Sequence, residues 1–243
     1  MNRKERVYRV LERKPVDRVP AGFWLHFPES MHHGDAAIKA HMDFVRDTGV
    51  DILKVMNENL LYDGESKILS TADLGKFRRF GRKDKIFMDQ MDIIKRIADQ
   101  ADGEYPILAT IHGLVASVFH ATGFAGNYVG MGYGLSIFCR EKKQEMRDVF
   151  DMFTDSLMEL VDCSLEAGAD GIFYVQHRRM FVKQRIFLPH HSRGSLSVGR
   201  HCPLLQLRSI SLPLQVHHRY CNLLRSRFSF LPFWILLHNK ITL

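Results

Sequence analysis

MRDVFDMFTDSLMELVDCSLEAGADGIFYV, Met146–Val175, contains a whole helix followed by a whole strand. Met146, Val149, Phe150, Phe153, Leu157, Leu160, Val161 and Leu165 recur three or four residues apart, the spacing of one helix face. Gly168 stops that run, and Gly171–Val175 (GIFYV) reads as a strand apolar on both faces. The same unit recurs upstream. Asn2 caps a short helix with Val7, Val10 and Leu11 on one side, ended by Pro15, and Val19–Phe27 (VPAGFWLHF) reads as a first strand. A helix over Asp35–Asp47, stopped by Gly49, leads into Asp51–Met56 (DILKVM), the second strand. A helix near Phe87–Ala98, with Met88, Met91, Ile94 and Ile97 aligned and Gly103 closing it, leads into Pro106–Ile111 (PILATI), the third. Gly171–Val175 is then the fourth.

Alternating helices and near-continuous apolar strands imply an α/β chain with a parallel sheet. Four such units make half of a (β/α)8 barrel of the TIM type, which takes about 250 residues when complete. An open doubly wound sheet also fits the alternation. Its dinucleotide fingerprint is missing, since FPESMHH (Phe27–His33) follows the first strand where G-x-G-x-x-G would stand, and the barrel is the preferred reading.

The pattern breaks after Gln176. Residues 1–176 hold 23 Lys and Arg against 27 Asp and Glu, whereas residues 177–243 hold 11 basic residues, no acidic one and no Ala. The chain's net charge of +7 therefore comes entirely from the tail. A nucleic-acid arm would be poorer in Leu and Phe. The run Phe228–Leu237, interrupted by Pro232, falls short of the roughly 20 apolar residues of a membrane span. The expectation is therefore two segments: 1–176 as the N-terminal half of a barrel, and 177–243 as a basic tail translated out of frame or disordered. Translation of the other two frames of the coding DNA would test it. Half a barrel would leave sheet edges unpaired, so association as a homodimer or aggregate is expected, with no nucleic-acid or membrane partner. The polar start and the absence of C-x-x-C pairs among Cys139, Cys163, Cys202 and Cys221 suggest a cytoplasmic protein with reduced thiols.

In such a barrel, reactive residues stand at the C-terminal ends of strands and in the loops beyond them. This selects Trp24, His26 and Glu29 after the first strand, and Asn57, Glu58 and Asn59 after the second. His112 follows the third, and Tyr174 and Gln176 lie at the fourth. A carboxylate and imidazoles at one mouth suit acid–base work, so Glu58, His26 and His112 are the catalytic candidates. Trp24, Asn57, Asn59 and Tyr174 are candidates for substrate contact. Metal-ligand spacing such as H-E-x-x-H is absent, and no metal site is assigned. Lys54, inside the second strand, reads either as a charge aimed at substrate or as an edge residue reaching water. Arg78, Arg79, Arg82 and Lys83 read as a solvated loop, and GFAGNYVGMGYG (Gly123–Gly134) as a flexible loop over the barrel mouth.

The segments NRKERVYRVLERKPVDRVPAGFW, DILKVMNEN, PILATIHGLVASVFHATG and EAGADGIFY together resemble the uroporphyrinogen decarboxylase family over about residues 2–176. The resemblance implies a (β/α)8 barrel and cofactor-independent decarboxylation of a porphyrinogen-like substrate. Corrinoid-dependent methyl transfer with zinc is the alternative among the family's relatives, and an inactive fragment is a further one. It also places the family's acidic residue after the second strand at Glu58 or Asn57. The family's active-site Tyr falls near Phe119, and its Arg-rich R-Q-A-G-R stretch is replaced by Leu25-His-Phe-Pro-Glu29. The His-x-Cys…Cys zinc pattern has no match, His201-Cys202 standing in a different setting.

Overall fold

The computed structural model describes residues 1–123 and 128–175, without side chains for 128–133. Residues 124–127, Gln176 and the whole tail, including Phe228–Leu237 and His201-Cys202, lie outside the described residues. Nine labelled elements follow in chain order: α1 Arg3–Leu11, α2 Gly34–Thr48, β1 Leu53–Val55, α3 Lys85–Ala101, β2 Ile107–His112, α4 Leu114–Ala121, α5 Tyr128–Glu141, α6 Lys143–Glu166 and β3 Gly171–Val175. Short 3-10 turns occupy Glu29–Met31 and Thr71–Lys76.

The strands form one parallel sheet in the order β1-β2-β3, pairing Leu53 with Ile107, Val55 with Ala109, Leu108 with Gly171 and His112 with Val175. The molecule is thus α/β with a parallel sheet, as the alternating pattern implies. Successive side chains point to opposite faces of a strand. Leu53, Val55, Ile107, Ala109, Ile111 and Ile172 share the helix-covered face and are buried in the main core. That core also takes Ala37, Ile38 and Val45 of α2, and Phe87, Ile93, Ile94 and Ile97 of α3. From α6 come Phe150, Phe153, Leu157 and Val161. Phe77 and Phe80 meet Phe153 edge-on, at 5.8 and 6.1 Å between ring centroids.

Local signals act as their chemistry requires. The Asn2 side chain accepts the Glu5 N–H at 2.7 Å and starts α1. Gly49 ends α2 at φ +65°, and its N–H donates to the Val45 carbonyl. Three expectations need correction. Val19–Phe27 forms no strand: its one main-chain link to the β1 approach is Asp51 N–H to Ala21 C=O, 2.7 Å. Pro20 has no N–H to offer, and the Ala21 N–H is taken by the Asp51 carboxylate at 2.8 Å, so no ladder can propagate. The buried stripe of α3 runs through Phe87, Gln90, Ile94 and Ile97, leaving Met88 53% exposed. The glycine-rich stretch after β2 is helical from Tyr128 onward, and α4 precedes it.

Helix α1 sits against the N-terminal end of the sheet and touches the approach to every strand. Arg6 donates to Asp51, before β1, at 2.7 Å and to Asp17. The Lys4 N–H donates to Glu104 C=O, before β2, and Arg3 pairs with the Glu104 carboxylate. Lys4 Nζ pairs with Asp170, before β3, at 2.7 Å.

Candidate functional site

The chemistry gathers where β1 ends. On β1, Leu53 and Val55 face the helices, which turns Lys54 to the opposite face of the sheet. Its ammonium group lies 4.0 Å from the ring centroid of Trp24 and 4.0 Å from that of Phe173 on β3. Lys54 is 9% exposed, and its Nζ has no hydrogen-bond partner among the described residues. Burial pushes its pKa down to about 7 against the upward pull of the Glu58 carboxylate.

Glu58 is largely buried and accepts a hydrogen bond from His26 Nδ1 at 2.8 Å when that nitrogen carries the proton. His26 itself is exposed, and its ring meets Trp24 edge-on at 5.7 Å between centroids. Three of the residues selected from the sequence, Trp24, His26 and Glu58, therefore converge with Lys54. What unites them is the irregular segment after Ala21, which runs past the end of β1.

The loop carrying Glu58 is braced from below. Asn57 Oδ1 accepts the Asn59 N–H at 3.0 Å, Asn59 Nδ2 donates to Gln90 Oε1 at 3.0 Å, and Gln90 Nε2 donates to the Met56 carbonyl. Asn57, Asn59 and Gln90 are all buried, so the two Asn side chains hold the loop in this geometry. His41 completes the brace: its Nδ1–H donates to the Ala37 carbonyl at 2.7 Å, and its Nε2 accepts the Met56 N–H at 2.9 Å. Burial lowers the His41 pKa and keeps this ring neutral.

Of the remaining candidates, His112 shares the Lys54 face of the sheet by alternation along β2, and the others stand elsewhere. His112, buried at the end of β2, meets His120 of α4 edge-on at 5.2 Å. Tyr174 faces the helices with Ile172, and its hydroxyl accepts the Leu114 N–H at 3.2 Å. Glu29 lies in the exposed 3-10 turn. Arg78 and Arg79 pair with Asp84 and Glu159, and Arg82 with Glu159 and Glu166, so this basic loop is tied to acidic partners at the surface. The residues ranked too low from sequence are Lys54 and Phe173. The available signal was a lone lysine in the middle of an apolar strand.

No helix among the described residues is long and apolar enough to cross a membrane. No protein-family model matches this sequence, and no curated protein does. Among solved structures, a methyltransferase from Methanosarcina mazei is similar with a TM-score of 0.48 and 16% identity, over 71% of this chain and 58% of that one. The chain thus spans less than two thirds of that protein, and a likeness of this degree assigns no reaction.

Proposed function

We propose that the described residues are the first part of a (β/α)8 barrel of the uroporphyrinogen decarboxylase type, acting on a carboxylate-bearing, tetrapyrrole-like small molecule. The observation that carries this reading is the Glu58 carboxylate, largely buried at the end of β1 and hydrogen-bonded to His26. Two further features support it. Lys54 on β1 and Phe173 on β3 meet across the intervening strand, as on a concave sheet that curls towards closure. The sequence segments that resemble the family include both β1 and the loop bearing Glu58.

Decarboxylation of a pyrrole acetate passes through protonation of a ring carbon, which leaves positive charge on the ring. A carboxylate fixed beside that ring in a water-poor site stabilises the charge without reorganising. His26, exposed and bonded to Glu58, is placed to exchange a proton with solvent, and Trp24 offers a face for the ring. Lys54, when protonated, attracts a substrate carboxylate. The barrel would be completed by strands beyond β3, and residues 177–243 supply none of the family's later motifs.

The family's other chemistry, methyl transfer to or from a corrinoid, calls for a zinc site. Among the described residues no three His, Cys, Asp or Glu side chains are grouped to hold a metal, and the family's zinc ligands belong beyond the fourth strand, outside those residues. Cys139 and Cys163 lie on α5 and α6, and burial raises both thiols, Cys139 to about 11. The test of the decarboxylase reading is Glu58→Gln, with turnover measured in a complete barrel. Turnover of a porphyrinogen is expected to fall about 10²- to 10³-fold. Unchanged turnover would retire the role of Glu58.

A further inference from the structure

Lys54 has features that the proposed decarboxylation does not need. A surface lysine keeps its charge in water, but this amine is buried and lacks a hydrogen-bond partner among the described residues, with an aromatic ring on each side. Burial without a hydrogen-bond acceptor disfavours the ammonium ion, outweighing the attraction of the two rings and of Glu58, and frees the nitrogen lone pair near neutral pH, with the pKa down to about 7. Trp24 is 45% exposed and sits in the segment that forms no ladder with β1, which makes its side the entrance argued for a flat molecule.

We propose that Lys54 is a carbonyl-capturing amine, condensing with a flat aldehyde or ketone that enters past Trp24 to form an imine. The Nζ lone pair attacks the carbonyl carbon, and the C=O π pair moves to oxygen, which takes up a proton as the nitrogen gives one up. The resulting hydroxyl then leaves as water with a second proton from solvent, and the C=N bond forms. Amine plus carbonyl compound gives imine plus water, with no change of oxidation state. The site suits the protonated imine: its positive charge lies between the faces of Trp24 and Phe173 and in the field of Glu58. Buried His41 is the other titratable group coupled to Lys54, and it is held neutral.

The full chain is incubated at pH 7 with benzaldehyde and sodium cyanoborohydride, which fixes any imine as a benzylamine, and labelled positions are mapped by peptide mass. An ordinary lysine with a pKa near 10.4 is neutral about once in 10³ molecules at this pH, so Lys54 is expected to label first and to slow below pH 7. Lys54→Met, which keeps the side-chain length without the amine, is expected to abolish that label. Trp24→Ala, at an exposed position, is expected to leave the label on Lys54 and change its rate several-fold. Labelling that goes to the Met1 α-amine or spreads over other lysines while Lys54 stays unmodified would overturn the proposal. Neither result depends on the outcome with Glu58→Gln, which concerns turnover and leaves Lys54 in place.

Discussion

Lys54 titrates in a window that stability measurements can reach. Below pH 7 it is charged both folded and unfolded, and the full cost of burying an ammonium ion weighs against folding. Between pH 7 and about 10.4 the unfolded chain holds the proton and the folded chain does not, so stability rises by up to about 1.4 kcal/mol per pH unit. Replacing the amine with a neutral chain of similar length removes that dependence. Lys54→Met is therefore expected to be more stable than the parent at pH 6, with an advantage that shrinks steadily towards pH 10, as read from urea midpoints. A difference that stays constant with pH would show that Lys54 is not buried as a titrating group. At this scale the position of Glu58 was legible because it follows β1, whereas His26 was selected from a first strand that does not form and reaches Glu58 through an irregular segment. The sandwich around Lys54 was not, because Phe173 and Trp24 lie far apart in the chain and meet only through sheet curvature. Asn57 and Asn59 were legible as special positions, but their buried links to Gln90 and Met56 were hidden by sequence distance.

Among the elements, α2 and α6 end on glycines of different kinds. Gly49 is left-handed with open space around its missing Cβ, so Gly49→Ala should cost only the backbone term of about 1 kcal/mol. Gly168 adopts φ +106°, and a Cβ there would meet the Ala98 Cβ at 2.9 Å, where α6 passes α3. Gly168→Ala is expected to cost about 2 kcal/mol or more, and denaturation midpoints of the two variants should separate accordingly. Equal losses would mean that the contact between α6 and α3 yields freely. The stripes of α2 and α6 were plain in the sequence because one face is buried and the other wet. Helix α4 was hidden for the opposite reason: seven of its eight residues are buried, which erases periodicity. Helix α5 was masked by its glycines. The segment Val19–Phe27 had a strand's composition, but a proline and a carboxylate took away the hydrogen bonds a ladder requires.

For the whole molecule, β1 and β3 each pair only with β2 among the described residues, and Val19, Phe23, Trp24 and Leu25 stand exposed beside β1. An unpaired parallel edge next to apolar side chains favours joining another copy. The apparent molar mass of the full chain from light scattering is expected to rise with concentration, and a constant monomer mass with one sharp thermal transition would contradict this. The parallel α/β character was legible from alternation alone, whereas closure into a barrel depends on contacts that no local pattern encodes. The clasp formed by α1 also has a consequence for the order of synthesis. This helix leaves the ribosome ahead of the strands it braces, and the Asp170 carboxylate that Lys4 grips is made 166 residues later. At 5–20 residues per second that is a delay of roughly 8 to 33 s. Arg6 meets Asp17 and Asp51 early, so the nascent floor of the sheet is held by β1 first and fastened to β3 last.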